Sequence, residues 1–161
     1  PGVDVKFTDF VSLLQQVKGL NLTARGKTLP VGVYLGYLVE SGSTGALQKA
    51  ETLARIADRI YLHCYVQQGH QTYGACQERL RVFADTGVSV QVTPMFSAEG
   101  QEFHAGYTFE GDYFWTNGIA EGQELFQAAF AADTQMVNSN VHLAGFQYYE
   151  YRYLGRYVRT A

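Results

Sequence analysis

Four segments of the chain carry the two-residue alternation of β-strands and yet have two unlike faces: Val31–Glu40, Arg59–Gln67, Val88–Ser97 and Val141–Leu154. On the second, Ile60, Leu62, Cys64 and Val66 point one way while Tyr61, His63 and Tyr65 point the other. On the fourth, the same alternation groups His142, Phe146, Tyr148, Glu150 and Arg152. Helical patterns separate the four segments, which makes the sheet parallel. A parallel sheet covered by helices on both faces reads as unbroken Val, Ile and Leu. One face here is too polar for that, so it is expected to line a barrel interior or a ligand surface.

The helical patterns are Asp4–Gly19, with Phe7, Phe10, Val11, Leu14 and Val17 on one stripe, then Gly45–Asp58, Tyr73–Thr86 and Ile119–Thr134. Gly87 stands where helices favour a left-handed stop. The stretch Gly26–Pro30 leads into the first strand. The order is α-β-α-β-α-β-loop-α-β, with right-handed crossovers. These residues predict an α/β fold: a four-stranded parallel sheet, its strands in sequence order, curved as a half or incomplete TIM-type (β/α) barrel with helices outside.

A chain of 161 residues suits a single α/β domain over residues 1–161, whereas a closed eight-stranded α/β barrel takes roughly 250. A barrel reading is therefore a reading of part of one. The chain starts at Pro1, which leaves room for an upstream segment in a longer chain. Twelve Lys and Arg against fifteen Asp and Glu give a net charge of −3, with no basic run to track a phosphate backbone, which argues against nucleic acid. No stretch reaches the ~20 apolar residues of a membrane span, and no charged-then-apolar leader precedes the first helix, so no membrane partner is expected. Cys64 lies on the apolar side of a strand and Cys76 within a helix, as two small buried hydrophobes rather than a disulfide. The compartment stays open.

One connection departs from the economy of such folds. Ala98–Asn117 is about twenty residues where βα loops take two to six. It holds Glu99, Glu102, His104, Tyr107, Phe109, Glu110, Asp112, Tyr113, Phe114 and Trp115, too aromatic for a disordered segment. It is expected to fold over the carboxyl ends of the strands, where parallel α/β folds place their ligands. It either covers sheet residues or touches a substrate.

Several sharper chemistries fail on a missing residue. Glu40-Ser41-Gly42-Ser43-Thr44-Gly45 has neither the lysine of a P-loop nor the dinucleotide spacing, and capping by Ser43 or Thr44 accounts for it. His63-Cys64 with Gly69 and His70 lacks the arginine with which cysteine phosphatases grip phosphate. The strand ends offer Glu40, Tyr65 and Ser97 rather than the aspartates of a receiver domain. His63, His70, His104 and His142 have no paired metal-ligand spacing, and no Gly-x-Ser-x-Gly elbow occurs. No metal or other cofactor is implied.

What remains is carboxylates and aromatics at strand ends: Glu40 after the first strand, Glu99 after the third, and Glu150 among Tyr148, Tyr149, Tyr151 and Tyr153. Hydrolysis of a glycosidic bond needs two carboxyl groups, one protonated and one ionised, with rings to hold the sugar faces. The segment Ala144-Gly145-Phe146-Gln147-Tyr148-Tyr149-Glu150-Tyr151 resembles the last barrel strand of glycoside-hydrolase-like (β/α) barrels. The acidic run Asp-x-x-Asp-x-Asp-x-Glu of the chitinase-like branch is absent, so either the catalytic half lies elsewhere or the scaffold persists without the chemistry.

Three readings follow: a carbohydrate-active, glycosidase-like barrel portion, as enzyme or lapsed enzyme; a non-catalytic half-barrel or flavodoxin-like module with a pocket for a small polar ligand; and an assembly module whose aromatic face is buried in an interface. In the first, Tyr61, His63, Tyr65, Tyr148 and the carboxylates Glu40, Glu99 and Glu150 converge under the long loop, with Trp115 as stacking platform. Glu150 is the candidate general acid, desolvated by its tyrosines, and Glu40 or Glu99 the ionised partner. The competing role for Glu150 is an ion pair with Arg152 or Arg156. Half a barrel also leaves two strand edges open, which points to a homodimer or docking onto a missing domain.

Overall fold

The structure, a computed structural model, describes residues 5–36, 38–40, 42–65, 71–98 and 117–149. Helix α1 (Val5–Gly19) is followed by a short hairpin, β1 (Thr23–Ala24) and β2 (Lys27–Thr28), which closes through a two-residue turn at Arg25-Gly26 with both φ angles positive. Strand β3 (Gly32–Leu35), helix α2 (Ala46–Ile56), strand β4 (Arg59–His63), helix α3 (Thr72–Asp85) and strand β5 (Val90–Ser97) follow. Helices α4 (Ile119–Ala132) and α5 (Thr134–Val137) precede β6 (Val141–Leu143) and β7 (Gln147–Tyr149).

The main sheet is parallel and runs β3-β4-β5 in sequence order, with β6 and β7 both paired to the far side of β5. Its fourth position is thus filled by one interrupted strand. Right-handed crossovers between neighbouring parallel strands leave their helices on one face, and the helices do pack side by side, α1 on α2, α2 on α3, and α3 on α4 and α5. Val33, Leu35, Ile60, Leu62, Val90, Val92 and Phe96 fill the space between sheet and helices, all nearly or fully buried. Each such side chain contributes about 1.5–3 kcal/mol by leaving water. Phe96 meets Phe126 of α4 at 5.8 Å between ring centroids. Cys64 and Cys76 are buried free thiols in this core, and burial, with the Cys76 thiol beside it, pushes the Cys64 thiol up.

Polar ties fix the helices to each other and to the sheet. Helix α4 ends at Ala132 rather than the expected Thr134 because Asp133 turns extended and caps α5, accepting from the Gln135 N–H at 3.0 Å. The same carboxylate accepts from the Tyr73 hydroxyl at 2.8 Å, Gln77 at 2.9 Å and Arg81 at 3.1 Å. At the amino end of the sheet, Asp58 accepts from the Val31 N–H at 2.8 Å and from Lys18 at 2.9 Å, pinning β3 to β4.

The fourth strand departs from simple alternation. Val92 pairs with Leu143 and Met95 with Gln147, so Thr93 and Pro94 on β5 stand opposite three residues, Ala144, Gly145 and Phe146. This is a bulge of one residue. Its cause is on both strands. Val90 N–H, Val92 C=O and Ala98 N–H all bond toward the fourth strand, so alternation aims Pro94 the same way, and proline has no N–H to give. Gly145 supplies the bend, with φ at 114°. Among the described residues no helix is long and apolar enough to cross a membrane.

Candidate functional site

The sheet face turned away from the helices carries its side chains in rows set by register. Tyr34, Tyr61 and Thr93 form one row, His63, Met95 and Gln147 the next, and Ser97 and Tyr149 the row at the carboxyl end. Tyr65, two residues beyond His63, projects beside that last row. The aromatic rings touch in sequence across the strands: Tyr34 to His63 at 6.1 Å, His63 edge-on to Tyr65 at 3.8 Å, and Tyr65 to Tyr149 at 5.8 Å between centroids. The Tyr65 hydroxyl lies 3.3 Å from the Met95 sulfur. Tyr34, Tyr65, Met95 and Tyr149 line a cavity of about 470 Å³, a size usual for small-molecule sites.

Of the residues expected to converge, His63 and Tyr65 do. Tyr61 shares their face one row nearer the amino end, where its ring lies across Gly32 so closely that a methyl there would stand 2.4 Å from Cε2. Glu40 does not line the cavity; it begins the turn into α2, its carbonyl accepting from Ser43 N–H at 3.0 Å. Tyr148 differs from its expected placement. Past the bulge the alternation is inverted, so Tyr148 pairs with Phe96 on the helix side, where its hydroxyl accepts from the Gln123 amide at 2.7 Å. His142, before the bulge, pairs with Gln91 on the open face near the amino end. The two residues therefore do not share a face, and Tyr149 takes the position that alternation assigns to Tyr148. Glu99, Glu150 and Trp115 lie outside the described residues, as does most of the Ala98–Asn117 loop.

Beneath this cluster lies a residue that pattern reading passes over. Arg79 of α3 is 4% exposed. Its guanidinium donates to the carbonyls of Gly36 and His63, to Ala75 at 2.6 Å and to Leu35 at 3.5 Å. It thus binds the carboxyl ends of β3 and β4 from the helix side. Position 79 falls on the stripe of Cys76, Leu80 and Phe83, and an arginine on an otherwise apolar stripe is the signal for it. Burial, and then the positive charge of Arg79, hold the His63 imidazole below its usual pKa. No group of three or more His, Cys, Asp or Glu among the described residues is arranged to hold a metal ion.

Compared with protein-family models, curated proteins and solved structures, the chain matches none.

Proposed function

We propose that this chain is a carbohydrate-active portion of a half (β/α) barrel, and that the cavity lined by Tyr34, Tyr65, Met95 and Tyr149 holds a sugar ring. The observation that carries this reading is the composition of that wall: three tyrosines and a methionine at the carboxyl end of a parallel sheet. Ring faces pack against the apolar C–H faces of a pyranose, and phenolic hydroxyls exchange hydrogen bonds with its hydroxyl groups. An uncharged imidazole at His63 suits a neutral polyol. The sequential strand order and the run of helices on one face support a barrel-like curvature, which leaves β3 and the β6–β7 strand as edges for a second copy or a further domain.

Among the described residues the cavity wall carries no carboxylate, so binding is the function its chemistry favours. Hydrolysis would rest on Glu99 and Glu150, which follow the last row of the sheet in sequence, with Glu150 as acid. Calorimetric titration with cello-, xylo-, manno- and chito-oligosaccharides, beside turnover of an aryl-glycoside panel, tests both. Saturable binding of one series is expected. Neither binding nor turnover across the panels would end the carbohydrate reading.

A further inference from the structure

We propose that Arg79 is the positioning residue of the tyrosine cavity, holding the ends of β3 and β4 in the one arrangement that brings the Tyr34, His63 and Tyr65 rings together. The consequence for ligand binding rests on the function proposed above; the positioning itself does not.

Four observations support it. The guanidinium is buried, and a buried charge without partners is strongly destabilising, so its contacts must be made in full. Those contacts are backbone carbonyls from three separate places: the end of β3 at Leu35 and Gly36, the end of β4 at His63, and the Ala75 turn of its own helix. A planar fork with five N–H groups can span these carbonyls at once, and a lysine ammonium, with a single centre, cannot. Finally, regular pairing of β3 with β4 runs only from Gly32 with Arg59 to Leu35 with Leu62. The ladder thus stops before His63, whose ring is the middle member of the Tyr34–His63–Tyr65 series. Arg79 bridges the strands where their own hydrogen bonds end. Arg79 does not line the cavity, whose wall is Tyr34, Tyr65, Met95 and Tyr149, and acts through the backbone that presents that wall.

Among the described residues, the titratable and charged groups facing His63 include Tyr34 from β3, Tyr65 beyond its own strand and Arg79 from α3, with Met95 as its uncharged neighbour on β5.

The test needs no ligand. In the full chain, nuclear Overhauser cross-peaks between the His63 and Tyr65 rings, 3.8 Å apart, report the arrangement. Those between Tyr73 and Phe126, 5.3 Å apart on the helix side, report the core. In Arg79→Met the His63–Tyr65 cross-peaks are expected to vanish while the Tyr73–Phe126 ones persist. Arg79→Lys, which keeps the charge but not the fork, should weaken the first set by at least half. Where Arg79→Met does not fold, Arg79→Lys decides alone. In a variant that remains folded, wild-type His63–Tyr65 cross-peaks, or loss of both sets together, overturns the proposal. Because these signals are read without sugar, their failure is separate from a failure of the oligosaccharide titrations.

Discussion

Tyr148 and Tyr149 are adjacent in the chain and stand on opposite faces of the sheet. Tyr148 takes a hydrogen bond from Gln123 at 2.7 Å on the helix side, and Tyr149 brings its ring to 5.8 Å from Tyr65 on the open side. Tyr148→Phe leaves the Gln123 amide without its acceptor and should cost about 1 kcal/mol. For a chain of this size that is a fall in Tm of roughly 2–4 °C. Tyr149 is 45% exposed, so Tyr149→Ala should spare stability and, on the proposed function, weaken oligosaccharide binding by about tenfold, or roughly 1.4 kcal/mol. Thermal melts and calorimetry on the two variants read this directly; the opposite assignment of effects would refute it.

Acid should unfold the protein in two stages. The His63 imidazole titrates below its usual value because it is buried and close to Arg79. The unfolded chain therefore takes up a proton at about pH 6.5 that the folded one resists, and stability present above that pH declines as pH falls through it. Asp133 is held well below the carboxylate range by its bonds from Gln77 and Tyr73. Its contribution is present above about pH 4, the unfolded value, and is lost below it. Asp133→Asn should cost about 2 kcal/mol at neutral pH and flatten the lower part of the curve. Urea unfolding at a series of pH values would show this, and an unchanged slope below pH 4 in the variant would count against it.

Gly145 holds φ at 114°, a conformation in which any Cβ is strained even though the space around it is open. Gly145→Ala should cost about 1–3 kcal/mol. It should also disturb β7 more than β6, so hydrogen exchange would quicken at the Ala98 N–H, which bonds to Tyr149, before it quickens at Val90 N–H. Equal protection at both would argue that the bend is not seated on this glycine.

Among the described residues the outer sides of β3 and of β6–β7 meet no further strand. Open parallel edges favour pairing, and light scattering on the purified chain is expected to return about twice the mass of one copy. A monodisperse monomer across the micromolar range would be the contrary result.

The alternation of elements was legible because its periods are: of the stripe Leu47, Ala50, Leu53, Ala54 and Ala57 the structure buries all but the exposed Leu47, and it buries Ile60 and Leu62 on one side of their strand. Three things were not legible by period. The Thr23–Thr28 hairpin is short and wholly exposed, so it has no buried face to betray it. Strand ends were overrun, as at Val31–Glu40 against Gly32–Leu35, because apolar residues continue into packed loops such as that of Val39, fully buried. The bulge reversed the fourth strand, and a rule of two cannot register one added residue. Pro94 and Gly145 were its visible marks, facing each other across a ladder that a single-strand reading treats separately.

That bulge works like a shift of reading frame. Upstream of it, odd and even positions of the last strand have one meaning, and downstream the reverse, so straightening it with all of Ala144–Phe146 kept would exchange Tyr148 and Tyr149 between core and cavity, whereas losing one of those three residues would leave two opposite Thr93 and Pro94 and keep both tyrosines where they are. A deletion of one residue here therefore keeps the sheet and both of its faces and removes only the bend.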